Sequence, residues 1–227
     1  MDESYQHVFS DQLLVGLPVG KAVCVGRNYL DHVRELNNPE SRKLVLFMKP
    51  PSCLVSLHQP VLLPPYGGEC HHELEIAVLI GARLRGADPA DADAAVVGYA
   101  LALDLTLREV QTELKQLGLP WELAKAFDRS LPISPFVPKR FLPRPQEIVF
   151  SLEVNGQLRQ RGYTGDMIRG IMPMLATISR YFTLYPGDVV LTGTPAGVGP
   201  LQAGDQLLMT LQDHIRFETQ VEREPAG

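Results

Sequence analysis

Short apolar runs recur along this chain, each closed by proline or glycine: KAVCVG near Val23, LVLFM near Phe47, PVLLP near Leu62 and ELEIAVLIG near Val78. Runs of that length, bounded by turn residues, read as strands. YALALDLT, EIVFSLEV, DVVLTG and QLLMTL continue the pattern. Between SLEV and QLRQ, Asn155-Gly156 is a strong hairpin turn, because both residues accept the positive φ that a two-residue loop requires. Strands should therefore dominate, and an α+β, mainly β fold is expected.

Four segments carry a helical pattern instead: NYLDHVREL at 28–36, DPADADAAV at 88–96, LREVQTELKQL at 107–117 and DMIRGIMPML at 166–175. Thr106 and Glu109 have the spacing of a capping box ahead of the third, and Gly118 is placed to end it. Pro173 is expected to interrupt the fourth or divide it into two short pieces, since an interior proline removes a hydrogen bond and crowds the preceding turn. Pro143 and Pro145 mark an exposed crossing at FLPRPQE. Composition is similar on either side, so no domain boundary is placed there. A chain of 227 residues can bury enough apolar surface to fold as one domain without staples.

A formal charge of −5, with no basic cluster, argues against nucleic acid as a partner. The three cysteines are widely spaced and lack a CxxC pair, so neither a disulfide framework nor a zinc site is expected. No apolar window approaches the roughly 20 residues of a membrane span. The opening MDESYQHVFSDQLL is acidic and polar where a secretory signal is basic and then apolar. A cytoplasmic protein with no membrane partner is the expectation.

The segment His71-His72-Glu73-Leu74-Glu75-Ile76 is the most informative. A strand's two-residue period puts Glu73 and Glu75 on one face and Leu74, Ile76 and Val78 on the other. Two adjacent carboxylates repel one another, a cost that a shared cation or a basic partner relieves, although the pattern also occurs on solvated edges. Asp104 lies in YALALDLT, so apolar that the acid should be buried or at the strand's end, where a carboxylate can also cap the following loop. Three carboxylates match the hard oxygen ligands that Mg²⁺ or Mn²⁺ prefers. Arg108 and Gln111, three apart near a helix N-terminus, could together hold a carboxylate, although residues of these types, like lysines, are singly more often on the surface. Lys125 has apolar neighbours that could position its charge in a site. His32 and Glu35 share a helical face, and a Glu-oriented imidazole can deprotonate water, although such pairs occur more often as ordinary surface contacts.

Taken together, VCVGRNYLDHVREL, LFMKPPS, HHELEIAVLIG, ALDLTLREVQ, PWELAKAFD and LTGTPAGVGP resemble, in order and spacing, the motif series of the fumarylacetoacetate hydrolase family. The likeness is to its short branch of acylpyruvate hydrolases and oxaloacetate decarboxylases and covers roughly residues 17–223, leaving 1–16 as an N-terminal extension to a catalytic domain at 17–227. It implies a mixed β-sandwich roll, usually dimeric, with the divalent metal on Glu73, Glu75 and Asp104. Arg108 and Gln111 would hold the substrate carboxylate, Lys125 would be catalytic and Thr192 would line the site. His32 and Glu35 match the family's dyad on a lid, and Arg27 and Lys49 are candidate substrate contacts. The implied reaction is Mg²⁺-dependent cleavage of the C3–C4 bond of an acylpyruvate, leaving pyruvate enolate. Decarboxylation or keto–enol tautomerisation of oxaloacetate uses the same residues. A metabolite-binding protein without turnover is the remote alternative, and it has no evident need for the His32–Glu35 pair.

Overall fold

A computed structural model describes residues 5–36 and 43–224 of the chain; residues 1–4 of the N-terminal extension lie outside that range. The apolar runs form strands that sort into three sheets. The largest carries Val45–Lys49, Ala22–Gly26, Val189–Leu191, Leu74–Ile80, Val96–Leu103, Leu131–Ile133 and Leu54–Ser56 side by side, with Val137–Pro138 added to Val96–Leu103. It is mixed: Ala22–Gly26 runs parallel to Val189–Leu191, whereas Leu74–Ile80 is antiparallel to both of its neighbours. The second sheet orders Gln157–Tyr163, Val149–Val154, Gln206–Leu211, Ile215–Arg223 and Val61–Leu63. Its first pair turns at Asn155-Gly156, both with positive φ, as the two-residue loop requires. A small third sheet joins Gly199–Pro200, Cys70–His72 and Thr106–Leu107.

The strand Leu74–Ile80 is buried along its whole length, and its two-residue period serves two cores. Leu74, Ile76, Val78 and Ile80 face the larger one, with Phe150, Leu152 and Met209 of the five-stranded sheet. Ala77 and Leu79 face a second, with Cys24, Ala100 and Phe136, against which Phe9 and Val15 of the N-terminal segment pack. Apolar layers on both faces explain why this strand carries few polar residues beyond its acidic start. The three cysteines are buried and free. Among the described residues no helix is long and apolar enough to cross a membrane.

The helices are α1 (Leu30–Glu35), α2 (Pro89–Ala95), α3 (Arg108–Leu117), α4 (Glu122–Lys125) and α5 (Ile171–Tyr181). α3 ends at Gly118 in the left-handed conformation, as expected, but the Thr106–Glu109 capping box does not form. Thr106 belongs to a strand paired with Cys70–His72, and its hydroxyl donates to the Asp104 carbonyl at 3.0 Å. Pro173 does not divide α5 either. The helix starts at Ile171, so the proline falls in the first turn, where its missing N–H has no intrahelical partner to lose.

In the N-terminal segment, the buried His7 shares a 3.0 Å hydrogen bond between Nε2 and the Gly187 carbonyl. Burial holds its pKa below the ordinary value, against the Gly187 and Pro18 carbonyls that raise it. The unfolded imidazole therefore binds a proton near pH 6.5 while the folded one resists until lower pH. This contribution to stability is complete above about pH 6.5 and is lost as pH falls toward the folded pKa. Urea titrations of His7→Gln should show a shallower loss of stability from about pH 6.5 downward than the parent. Equal slopes would remove His7 from the acid limb.

Candidate active site

Glu73 lies at the junction between Cys70–His72 and Leu74–Ile80, Glu75 two residues on, and Asp104 one residue past Val96–Leu103. The antiparallel register pairs Leu74 with Leu103 and Glu75 with Ala102, which brings Asp104 beside Glu73. The Asp104 N–H confirms the alignment by donating to the Glu73 carbonyl at 2.9 Å. One oxygen from each of the three carboxylates lies within 4.8 Å of the others, and all three residues are buried. The solvated-edge reading of the Glu pair therefore does not hold.

Buried like charges at this spacing need compensation. The Lys125 ammonium donates to Glu73 Oε2 at 2.9 Å, Asp104 Oδ2 at 2.6 Å and Thr106 Oγ1 at 2.6 Å. Arg108 donates to Glu73 Oε1 and, at 2.7 Å, to Gln111 Oε1. Burial alone would raise the Glu73 pKa, but Lys125 and Arg108 outweigh it and hold the carboxylate below its usual range. Burial would likewise lower the Lys125 pKa; Asp104 and Glu73 reverse this and keep it charged. Glu75 is different. It accepts the Gly193 N–H at 2.6 Å but pairs with no lysine or arginine among the described residues. Burial, then Asp104 and Glu73, push its pKa well above the carboxylate range.

The donor set fits a divalent cation of the Mg²⁺ or Mn²⁺ kind. Three carboxylates converge in an oxygen-only cluster, Glu75 lacks a cationic partner, and Asp104 Oδ1 is buried without a hydrogen bond. Lys49 Nζ stands 3.0 Å from that oxygen but outside hydrogen-bonding geometry.

The triad opens on a cleft lined by Arg27, His32, Arg108, Gln111 and Lys125, together with Lys115 and Trp121. His32 is on α1, where its Nδ1 lies 3.1 Å from Glu35 Oε2. The anionic Glu35 makes Nδ1 the donor, so Nε2 is the lone-pair nitrogen of the neutral ring. Glu35 Oε1 accepts the Gly197 N–H at 2.9 Å, which ties α1 to the loop after Val189–Leu191.

Two expected site residues lie elsewhere. Lys49 is fully buried behind Asp104, not in the cleft wall, and donates to the carbonyls of Lys125 and Ser130. Thr192 is also fully buried; its hydroxyl donates to the Ile76 carbonyl at 2.9 Å, bracing the strand that carries Glu75. Thr194, two residues on, is the threonine that lines the cleft.

Sequence reasoning passed over Lys115 and Trp121. The spacing of Arg108, Gln111 and Lys115 on one face of α3 was the available signal for the lysine. It also passed over Gly193, whose φ is +96° and where a Cβ would stand 2.8 Å from the Asn28 Cβ. Glycine is required there for the N–H to reach Glu75.

Three converging carboxylates beside a paired imidazole make an arrangement that could hold a metal ion. The chain belongs to the fumarylacetoacetate hydrolase family: residues 21–222 match the family described as fumarylacetoacetate (FAA) hydrolase C-terminal. It is 51% identical over 211 residues to oxaloacetate tautomerase YcgM of Escherichia coli (strain K12), spanning 92% of this chain and 96% of that protein. A fumarylacetoacetate hydrolase family protein from Yersinia pestis CO92 superposes with a TM-score of 0.94 at 47% identity, covering 96% of this chain and 100% of that one. Fumarylpyruvate hydrolase from Pseudomonas aeruginosa, solved with Mn²⁺ and pyruvate, gives 0.88 at 33% identity, covering 99% and 98%. Like these relatives, the chain is an enzyme.

The uncompensated Glu75 yields a prediction of opposite sign for fold and site. Glu75→Gln puts a neutral isostere where burial and two carboxylates disfavour charge, and should stabilise the metal-free protein in denaturant titrations at pH values where Glu75 would ionise. The parent should show a thermal shift on adding Mg²⁺, and the variant should lose it. A destabilised variant that keeps that shift would show Glu75 to be structural.

Proposed function

We propose that this chain is a divalent-metal-dependent enzyme acting on small 2-oxo acids, and that its main reaction is the keto–enol tautomerisation of oxaloacetate. The observation that carries the reading is the His32–Glu35 pair beside the acidic triad, with the neutral ring's Nε2 bearing the lone pair. Glu73, Glu75 and Asp104 would hold Mg²⁺, or Mn²⁺ as in the Pseudomonas aeruginosa neighbour. Bound there, the cation supplies Lewis-acid stabilisation for negative charge developing on the 2-oxo oxygen.

The chain's own residues do the rest. Arg108, backed by Gln111 at 2.7 Å, offers its guanidinium to the substrate carboxylate. Nε2 of His32 takes a proton from C3 of the keto form, and the imidazolium gives that proton up to the C2 oxygen to complete the enol; the reverse transfer regenerates the ketone. Glu35 fixes the ring's tautomer and steadies its positive charge while the proton is held. The Lys125 ammonium, kept protonated by its carboxylate partners, adds to the field that favours an oxyanion. The identity to an oxaloacetate tautomerase supports this choice of reaction.

Cleavage of acylpyruvates is the second reading, favoured by the close superposition on a fumarylpyruvate hydrolase. His32 would then take its proton from water, which attacks C4 as the C3–C4 bond breaks. The proposal also includes a homodimer, a cytoplasmic location and a catalytic domain spanning 17–227. These rest on the family resemblance and on cysteines that are all free and buried.

His32→Ala should lower tautomerisation, followed by oxaloacetate enol absorbance at saturating Mg²⁺, by about 10²- to 10⁴-fold. Acylpyruvate cleavage should fall by a similar order, while oxaloacetate decarboxylation, which needs no activated water, should fall much less. Tautomerisation unchanged in the variant would overturn the role of His32. Equal losses in all three reactions would reduce it to ordering α1.

A further inference from the structure

Two cations of the cleft have no place in the chemistry above. Lys115 lies on α3 four residues beyond Gln111 and seven beyond Arg108, so all three share the helix face that lines the cleft. Its Cα is about 10 Å further along the axis than that of Arg108, and helical side chains lean toward the N-terminus, which carries its ammonium back toward the arginine. The ammonium sits over the Trp121 ring, 5.3 Å from its centre. Arg27, which also lines the cleft, follows the strand Ala22–Gly26 with φ at +61°, a left-handed conformation that costs an arginine energy and is kept where the surroundings demand it.

Neither Arg27 nor Lys115 makes a hydrogen bond or ion pair among the described residues, although both line the cleft. Burial, together with the positive charges of Arg108 and Arg27, pushes the Lys115 pKa down to about 8. Among the described residues this part of the cleft is thus short of negative charge. Glu73 and Asp104 are engaged with Lys125 and Arg108, and Glu75 is drawn to the Gly193 N–H; a divalent cation on the triad would deepen the deficit.

We propose that Arg27 and Lys115 form a second carboxylate site, which takes the far carboxylate of a four-carbon dicarboxylic 2-oxo acid while Arg108 and Gln111 hold the near one. This rests on the reaction assigned above and narrows its substrate class: dianionic 2-oxo acids are preferred over those with a neutral tail. Trp121 holds the lysine stem in place and gives a flat wall for the short carbon chain between the two carboxylates.

The test is calorimetric binding, in Mg²⁺, of two ligands that cannot enolise: 3,3-difluorooxaloacetate, a dianion, and 3,3-difluoro-2-oxobutanoate, its monoanionic counterpart. The parent should prefer the dianion by about 10- to 100-fold, the effect of a charge-assisted contact in a partly buried site. Lys115→Met and Arg27→Met should each erase most of that preference by weakening the dianion alone, and Lys115→Arg should retain it. Retained binding of the monoanion reports that each variant is folded. A parent without the preference, or variants in which both ligands weaken together, would overturn the second site. Because neither ligand reacts, the result is separate from turnover: a parent that prefers the dianion yet fails to tautomerise oxaloacetate supports the site and counts against the reaction.

Discussion

Three carboxylates held within 4.8 Å of one another in a buried site are the constraint around which the rest of the molecule is arranged. Charges removed from water are tolerated only when paired or shared with a cation. The chain supplies three permanent cations to this end, each from a different element. Lys125 comes from the single turn of α4, Arg108 from the first residue of α3, and Lys49 from the last residue of Val45–Lys49. That α4 is only one turn long is understandable in this light, since its task is to deliver one ammonium between Glu73 and Asp104. The compensation is incomplete at Glu75. An enzyme that loads a divalent ion gains by leaving a ligand unneutralised, since a fully balanced triad would have little further affinity for a cation. The site is thus less stable than the fold could have made it, a trade common where function requires strain.

Much of this was legible in the sequence because it depends on short-range periodicity. The two-residue period of a strand puts Glu73 and Glu75 on one face whatever the tertiary context, and an aspartate in so apolar a run as YALALDLT has few places to go. The helix boundary at Gly118 was legible for the same local reason. The misreadings involve groups that had two local uses. Thr106 has the right spacing to cap α3, but its hydroxyl is drawn into the Asp104 and Lys125 network, where an ionic hydrogen bond is worth more than a cap. Pro173 was read as a breaker because the helix start could not be set to within a few residues, and a shift of that size separates a forbidden proline from a harmless one. Lys49 and Thr192 fell in family motifs, which mark a position as important without saying which way its side chain points. Both support the site from behind.

What the sequence could not reveal is how the two halves of the chemistry are held in register. The triad lies on the central strands and the His32–Glu35 pair on α1, and the loop after Val189–Leu191 touches both. Gly193 donates its N–H to Glu75 Oε2 and Gly197 its N–H to Glu35 Oε1. Both glycines have positive φ, and a Cβ on Gly197 would stand 1.9 Å from the Arg159 carbonyl oxygen. Side chains at either position would force the backbone away and move the donor with it. Asn28, just ahead of α1, closes the circuit by donating to the Thr192 carbonyl at 2.8 Å. A segment of a few residues therefore sets the position of one carboxylate of the triad and of the carboxylate paired with the His32 imidazole. Because both contacts are backbone donors spaced four residues apart on one loop, a displacement that disturbs one should disturb the other. The acidic triad and the His32–Glu35 pair are thus coupled through the main chain of the loop.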